Sequence, residues 1–273
     1  MRKNIKNKNK EKIKKNKEEQ NLIMGKNSSY EYLENGKDIQ KIEIEEGKNF
    51  EKVKEKIKDL LKLNKNIDEK EREKIEKNIF KLNKNEINKY GTRHQGIVIH
   101  TKEYKYYTTE EVLKNVNIKE EKPLIVILDK IEDPNNLGSI LRSSEIFGVK
   151  ALIIPEHGSA KMTSVVRKVS VGGAEKVPVI KVNNINYEID KLKELGFWIY
   201  AADMEGADNI YNLDFNIPTV LILGNEGKGV SKLTKEKSDY IFKIPMMGTL
   251  DSLNVSVSAA IAMYEVQKNR KNI

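Results

Sequence analysis

Three loops in this 273-residue chain hold residue types that could do chemistry together. The first, residues 221–232 (LILGNEGKGVSK), is an apolar run that breaks into glycines with Glu226 at the loop crest. Glycines let a backbone approach a ligand closely, so a nucleotide-like ligand is expected beyond this run. The loop is not a P-loop: Gly224 and Gly229 have the right gap, but Val230 stands where lysine is required. Nor is it a dinucleotide fingerprint, because Lys232 occupies the third-glycine position. The second loop is the turn Asp133-Pro134-Asn135-Asn136, followed by a helix from about Leu137 with Asn135 or Asn136 as its cap. Leu137, Ile140, Leu141 and Phe147 form its apolar face, and Gly148 would cap its end. Arg142 lies off that stripe in the second turn, where the helix dipole gives a cation nothing. The chain uses lysine almost throughout and has six arginines. An isolated arginine against that background suggests a forked donor for phosphate or nucleic acid. The third loop, IPMMGTLDSLNVSVSAAIAMYEVQ (244–267), runs into a helix near Leu253, with Asp251 or Ser252 as cap. Its first turns are small, so another backbone can pack closely. Each loop also has a plain reading: a strand-to-helix turn, a surface arginine paired with Glu145, and an ordinary C-terminal helix.

These loops need elements to hold them. From Pro123 onward six strand-length apolar runs recur: LIVILD, ALIIP, VPVIKV, FWIYAAD, TVLILG and YIFKIP. Helical patterns separate most of them. Fully apolar strands alternating with helices predict a mainly parallel α/β sheet covered on both faces. Ligands bind such sheets beyond the carboxyl ends of the strands, where the three loops lie. Residues 21–107 predict a small separate mixed domain. LIMGKNSSYEYLENG reads as strand, glycine turn and helix, QKIEIEEG as an exposed strand, and HQGIVIH as a closing strand. Residues 49–63 place Phe50, Val53, Ile57, Leu60 and Leu61 on one helical stripe, and 68–82 repeat that pattern more weakly. The polar stretch 108–122 reads as a linker, and 123–273 as the second domain.

Composition narrows the function classes. There is no cysteine, so thiolate chemistry and zinc–thiolate sites are excluded. The three histidines lack metal-ligand spacing, and no metal is expected. The formal net charge of +9 favours a polyanionic partner. Residues 1–17 alone carry nine Lys/Arg against Glu11, a block expected to be a disordered basic tail (1–20) able to touch phosphates. No run is long and apolar enough for a signal peptide or a membrane span, which predicts a cytoplasmic protein.

Together the loops resemble the motifs of the SpoU/TrmH family of RNA ribose 2′-O-methyltransferases, part of the SPOUT superfamily. Asn136, Gly138 and Arg142 match its first motif, LILGNEGKG its second, and IPMMG with SLNVS its third; KVSVGGAEKVPVIKV resembles its middle segment. The motifs stand in order across 123–268. The resemblance implies S-adenosylmethionine as cofactor, held at Leu223, Gly224, Ile244 and Leu253. It implies a C-terminal deep trefoil knot, an exception to the unknotted-chain rule, and a homodimer whose sites draw on both chains. Arg142 would anchor the target phosphate and stabilise the developing alkoxide, with a phosphate oxygen or water taking the proton. Asn136 would orient Arg142 or the ribose, and Glu226, Ser252 and Asn254 would order the loops and the incoming nucleotide. Residues 21–107 are similar to the L30e-like substrate domain of the large-subunit rRNA members, which makes a guanosine of that rRNA the expected target. A tRNA or resistance methyltransferase, and a non-catalytic RNA-binding or ribosome-assembly protein, remain as alternatives.

Overall fold

A computed structural model describes residues 21–47, 49–225, 227–249 and 252–270. The basic tail and Glu226 lie outside these residues. The chain forms two units: one runs up to Tyr104 and also includes residues 162–168, and the other holds the remainder.

The first unit is built on a four-stranded mixed sheet. Its elements are β1 (Leu22–Met24), α1 (Lys26–Asn35), β2 (Ile39–Glu45), α2 (Phe50–Leu63), α3 (Glu69–Lys77), β3 (Ile79–Leu82), α4 (Lys84–Ile87) and β4 (Ile97–Thr101). The strand order is β1-β4-β2-β3. Strand β2 is therefore internal, not exposed. Its alternation puts Ile42 and Ile44 against the α2 side, while Glu43 points the other way into a polar nest. Lys41 Nζ (2.7 Å), the Tyr90 hydroxyl (2.6 Å) and His100 Nε2 (2.8 Å) all meet the Glu43 carboxylate. Burial alone would raise that carboxyl, but these donors hold it at about 2. The charged alternation that suggests an exposed strand is thus satisfied inside. The weak pattern over 68–82 splits into helix α3 and strand β3, because Asn78 ends the helix and β3 pairs in parallel with β2.

The second unit carries a seven-stranded sheet in which every pairing is parallel. Its elements begin with α5 (Thr109–Leu113) and α6 (Ile118–Glu121), in the stretch read as a linker. Thr108 and Glu111 form a reciprocal capping box for α5. Leu113 enters the core, with Val112, Val116 and Ile118 packed against it. The spacing is too short to show a helical stripe, which is why the polar letters hide this packing. Next come β5 (Leu124–Asp129), α7 (Pro134–Ile146), β6 (Ala151–Pro155), α8 (Ser164–Ser170), α9 (Gly173–Lys176), β7 (Val179–Val182), α10 (Ile185–Glu194) and β8 (Trp198–Ala202). The unit closes with β9 (Asp208–Asn209), β10 (Thr219–Gly224), α11 (Lys232–Glu236), β11 (Tyr240–Lys243) and α12 (Val255–Asn269). The order is β7-β6-β5-β10-β8-β11-β9, so all six expected strands are present and the two-residue β9 is added. Central strands β5 and β10 are buried along almost their whole length, as fully apolar runs require. Among the described residues no helix is long and apolar enough to cross a membrane.

Candidate active site

The carboxyl ends of β5, β10, β8 and β11 lie side by side, with Gly224 in register with Asp129. Beyond them a cavity of about 400 Å³ opens. Leu223, Gly224, Ile244, Ser252 and Leu253, five of the residues proposed from sequence, line it together. They come from two separate segments, 223–224 and 244–253, so the fold does the gathering.

The glycine loop is held by its own backbone. Asn225 N–H donates to the Gly229 carbonyl (3.1 Å) and Gly229 N–H donates back to Asn225 (2.8 Å). The Asn225 side chain accepts from Gly227 N–H (3.0 Å) and donates to the Lys130 carbonyl (3.1 Å), tying this loop to the one after β5. Buried Asp129 accepts from Ser231 N–H (2.9 Å) and fixes the loop's exit. A Cβ on Gly224 would lie 2.0 Å from the Gly229 carbonyl carbon and 2.2 Å from the Val230 nitrogen. Gly224 is thus required by the chain's contact with itself. Gly229 has φ +64°, a conformation that glycine adopts without strain. At Gly227, which lines the cavity, a Cβ would meet nothing nearer than 3.7 Å. The bare backbone there is open to a ligand. Helix α11 starts at Lys232 after Ser231.

The other proposed residues stand on α7 and α12. Helix α7 begins at Pro134, earlier than expected, with Asp133 as its cap accepting from Asn135 N–H (3.0 Å). Pro134 is at the first helical position, so the missing N–H costs nothing. Asn136 is therefore inside the helix and nearly buried. Gly148 follows the cap residue Phe147 with φ +63° and closes the helix in a left-handed turn. The cap of α12 is Asn254, not Asp251 or Ser252: its Oδ1 accepts from Ser256 N–H (2.9 Å). Its Nδ2 donates to Asn136 Oδ1 (3.1 Å), so these two asparagines join the helix starts. Small residues make the join possible, since Ala259 and Ala262 are fully buried where α12 packs on α7.

Arg142 stands apart. It falls in the third turn of α7, is exposed, and is not among the residues lining the cavity. Six residues from Asn136 is about 240° around a helix, so Asn136 does not orient it within one chain. Glu145 does not pair with it either; that carboxylate binds Lys176 Nζ at 2.7 Å. What positions Arg142 is the backbone beneath it. A Cβ on Gly173 would lie 2.7 Å from the Leu141 carbonyl oxygen and 3.1 Å from the Arg142 Cα. Gly173 of SVGGAE therefore seats α9 directly on α7. Ile146 of α7, one turn beyond Arg142, is exposed too, as are Val257 and Tyr264 of α12, with Tyr264 edge-on to Phe147 at 6.3 Å between ring centres.

Asp203 and Lys235 are polar cavity residues that nothing in the sequence marks. Asp203 follows β8 and pairs with Lys235 of α11 at 2.9 Å. FWIYAAD reads as a strand, and nothing in its pattern marks the final aspartate as a ligand group.

Known proteins similar to this chain point the same way as the geometry. The SpoU rRNA Methylase family matches residues 123–264. YacO of Bacillus subtilis, named for the TrmH family of tRNA/rRNA methyltransferases, is 39% identical over 181 residues, 66% of this chain and 73% of that protein. The crystal structure of the SpoU methyltransferase AviRb from Streptomyces viridochromogenes, in complex with the cofactor AdoMet, superposes with a TM-score of 0.67 at 22% identity, covering 92% of this chain and 91% of that one. The A. aeolicus TrmH/SpoU tRNA modifying enzyme is 34% identical, with a TM-score of 0.52 over 60% of this chain and 81% of its own.

Proposed function

The chain belongs to the SpoU rRNA Methylase family, and from that premise we propose that it methylates a ribose 2′-hydroxyl of RNA, a guanosine of large-subunit (23S) rRNA, using S-adenosylmethionine. One observation carries this reading. The self-paired glycine loop and the residues after β11 converge on a single cavity at the carboxyl ends of the sheet.

The residues present fit the cofactor. The cavity volume is in the range of small-ligand sites. Leu223, Ile244 and Leu253 offer apolar walls for an adenine, and the open backbone at Gly227 offers polar groups without a side chain in the way. S-adenosylmethionine supplies a methyl group already activated by its positive sulfur. The remaining difficulty is the hydroxyl, a weak nucleophile until it loses its proton. Arg142 holds the neighbouring phosphate through its fork and stabilises charge developing on the 2′-oxygen. Its guanidinium stays protonated at neutral pH, so a phosphate oxygen or water accepts the proton. Asn136 and Asn254 hold the two helix starts together, Ser252 orders the loop that lines the cavity, and Glu226 is assigned a loop-ordering role as well.

The separation of Arg142 from the cavity supports a dimer in which each site takes this residue from the other chain. The exposed apolar side of α7 and α12 supplies a surface for that association. We further assign the C-terminal strands a knotted path, and residues 21–107 the role of an L30e-like RNA-binding domain, aided by the basic residues 1–20.

The test is transfer of labelled methyl to unmodified large-subunit rRNA, with tRNA in parallel, followed by mapping of any 2′-O-methyl. Label at one guanosine of that rRNA is the expected result. Label in tRNA alone would overturn the rRNA assignment, and label at another rRNA nucleotide would make the enzyme a methyltransferase of resistance type. Neither label nor cofactor binding would leave a non-catalytic RNA-binding protein.

A further inference from the structure

We infer that Asp203 is the cofactor-selecting carboxylate of this site and takes the two ribose hydroxyls of the bound adenosyl group. The inference rests on the cofactor reading above and adds to it a residue and its ligand group.

Asp203 sits at the carboxyl end of β8, next to the glycine loop of β10. A Cβ built on Gly229 would be 3.6 Å from its Oδ2. The side chain is 13% exposed and is gripped on both oxygens. Oδ2 accepts from Lys235 Nζ (2.9 Å) and Oδ1 accepts from Glu205 N–H (3.0 Å). The backbone is held as well: Asp203 N–H donates to the Phe242 carbonyl (2.8 Å), and Gly206 N–H donates to the Asp203 carbonyl (3.1 Å). Such a carboxylate cannot swing away to pair elsewhere.

A carboxylate has about four acceptor positions over its two oxygens. Two are used, one on each oxygen. One acceptor position therefore remains on each oxygen of a residue that lines the cavity. Adjacent hydroxyls on a ribose present two donors at matching spacing. An acid after a neighbouring strand serves ribose hydroxyls in other nucleotide-binding α/β sheets. The other donor on the cofactor is the ammonium of its amino-acid part. Lys235 already places a positive charge on Oδ2, so a second ammonium there would be repelled, whereas neutral hydroxyls would not.

The experiment is equilibrium binding by calorimetry to the full-length protein. The ligands are S-adenosylhomocysteine and its 2′-deoxy and 3′-deoxy analogues. The wild-type protein should bind each deoxy analogue on the order of tenfold more weakly than the parent compound. Asp203→Ala should bind the parent on the order of tenfold more weakly and lose most of the penalty for a missing hydroxyl. Lys235→Met, which keeps the carboxylate, should retain that penalty, and it serves where Asp203→Ala fails to fold. An undiminished deoxy penalty in Asp203→Ala, or its loss in Lys235→Met with the parent still bound, would overturn the assignment and leave the pair as a loop clamp. No deoxy penalty in the wild-type protein would also overturn it. A wild-type protein that binds none of the three compounds would instead overturn the cofactor reading itself, so the two failures are told apart.

Discussion

The cavity beyond the sheet and the exposed side of α7 are built to opposite rules. At the cavity the glycine loop and its flanks are tied within the chain: Asn225, Gly227 and Gly229 bond to one another, Asp129 holds Ser231, and Lys235 holds Asp203. On α7, Arg142 is exposed and its neighbour Glu145 is committed to Lys176. One region is finished within a single chain, and the other presents its key side chain outward. On the proposed function, the difference means that cofactor binding and RNA chemistry are separable and should fail separately.

The largest effect should come from the unfinished side. Arg142→Ala should lower methyl transfer by roughly 1000-fold, while calorimetry finds cofactor affinity and melting finds stability both unchanged. Full activity in that variant would remove Arg142 from the account. Arg142→Lys sharpens the point: near-complete loss would show that the fork matters, and partial retention that charge suffices. On the finished side the pattern should invert. Gly224→Ala forces a side chain into the Gly229 backbone and should weaken cofactor binding on the order of 100-fold, with a lower melting temperature. Retained affinity there would mean the loop does not hold the ligand. Gly173→Ala tests what seats Arg142. It should cost about 1–3 kcal/mol of stability and lower turnover more than cofactor affinity. The smallest effect is expected for Asn254→Ala, which removes the α12 cap and the link to Asn136. About 1 kcal/mol is lost on this basis, read as a fall in melting temperature of a few degrees.

The two regions also differ in how far the sequence reveals them. The parallel sheet is legible because β5 and β10 are apolar throughout, a pattern that only doubly covered strands sustain. The cavity loop is legible through its glycines, although the reason for Gly224 is not. A close approach to a ligand and a close approach to the chain's own backbone leave the same letter. Asp203 is illegible because an aspartate ending a strand is ordinary; only the meeting of three strand ends gives it a site. The caps differ from expectation by two to three residues, since Asp133, Asn135, Asn136, Asp251, Ser252 and Asn254 are all cap-competent residue types and tertiary contacts choose among them. Arginine rarity is a partial guide. Arg270 also uses its fork, but on the carbonyls of Phe215 and Ile217 (2.8 Å each), where burial lowers its guanidinium to about 10. Rarity therefore signals planar geometry, not phosphate.

The central claim is that a working site joins the cavity of one chain to Arg142 of another. Subunit mixing tests it most directly. Ser258 of α12 also lines the cavity, and Arg142→Ala is co-expressed with Ser258→Trp, which fills that cavity, each variant being inactive and dimeric alone. In mixed dimers one site then combines an open cavity with an intact Arg142. The account predicts recovery of about a quarter of wild-type methyl transfer, because half the dimers are mixed and half their sites are whole. No recovery, with mixed dimers shown to form, would mean that each chain uses its own Arg142 and would contradict the claim.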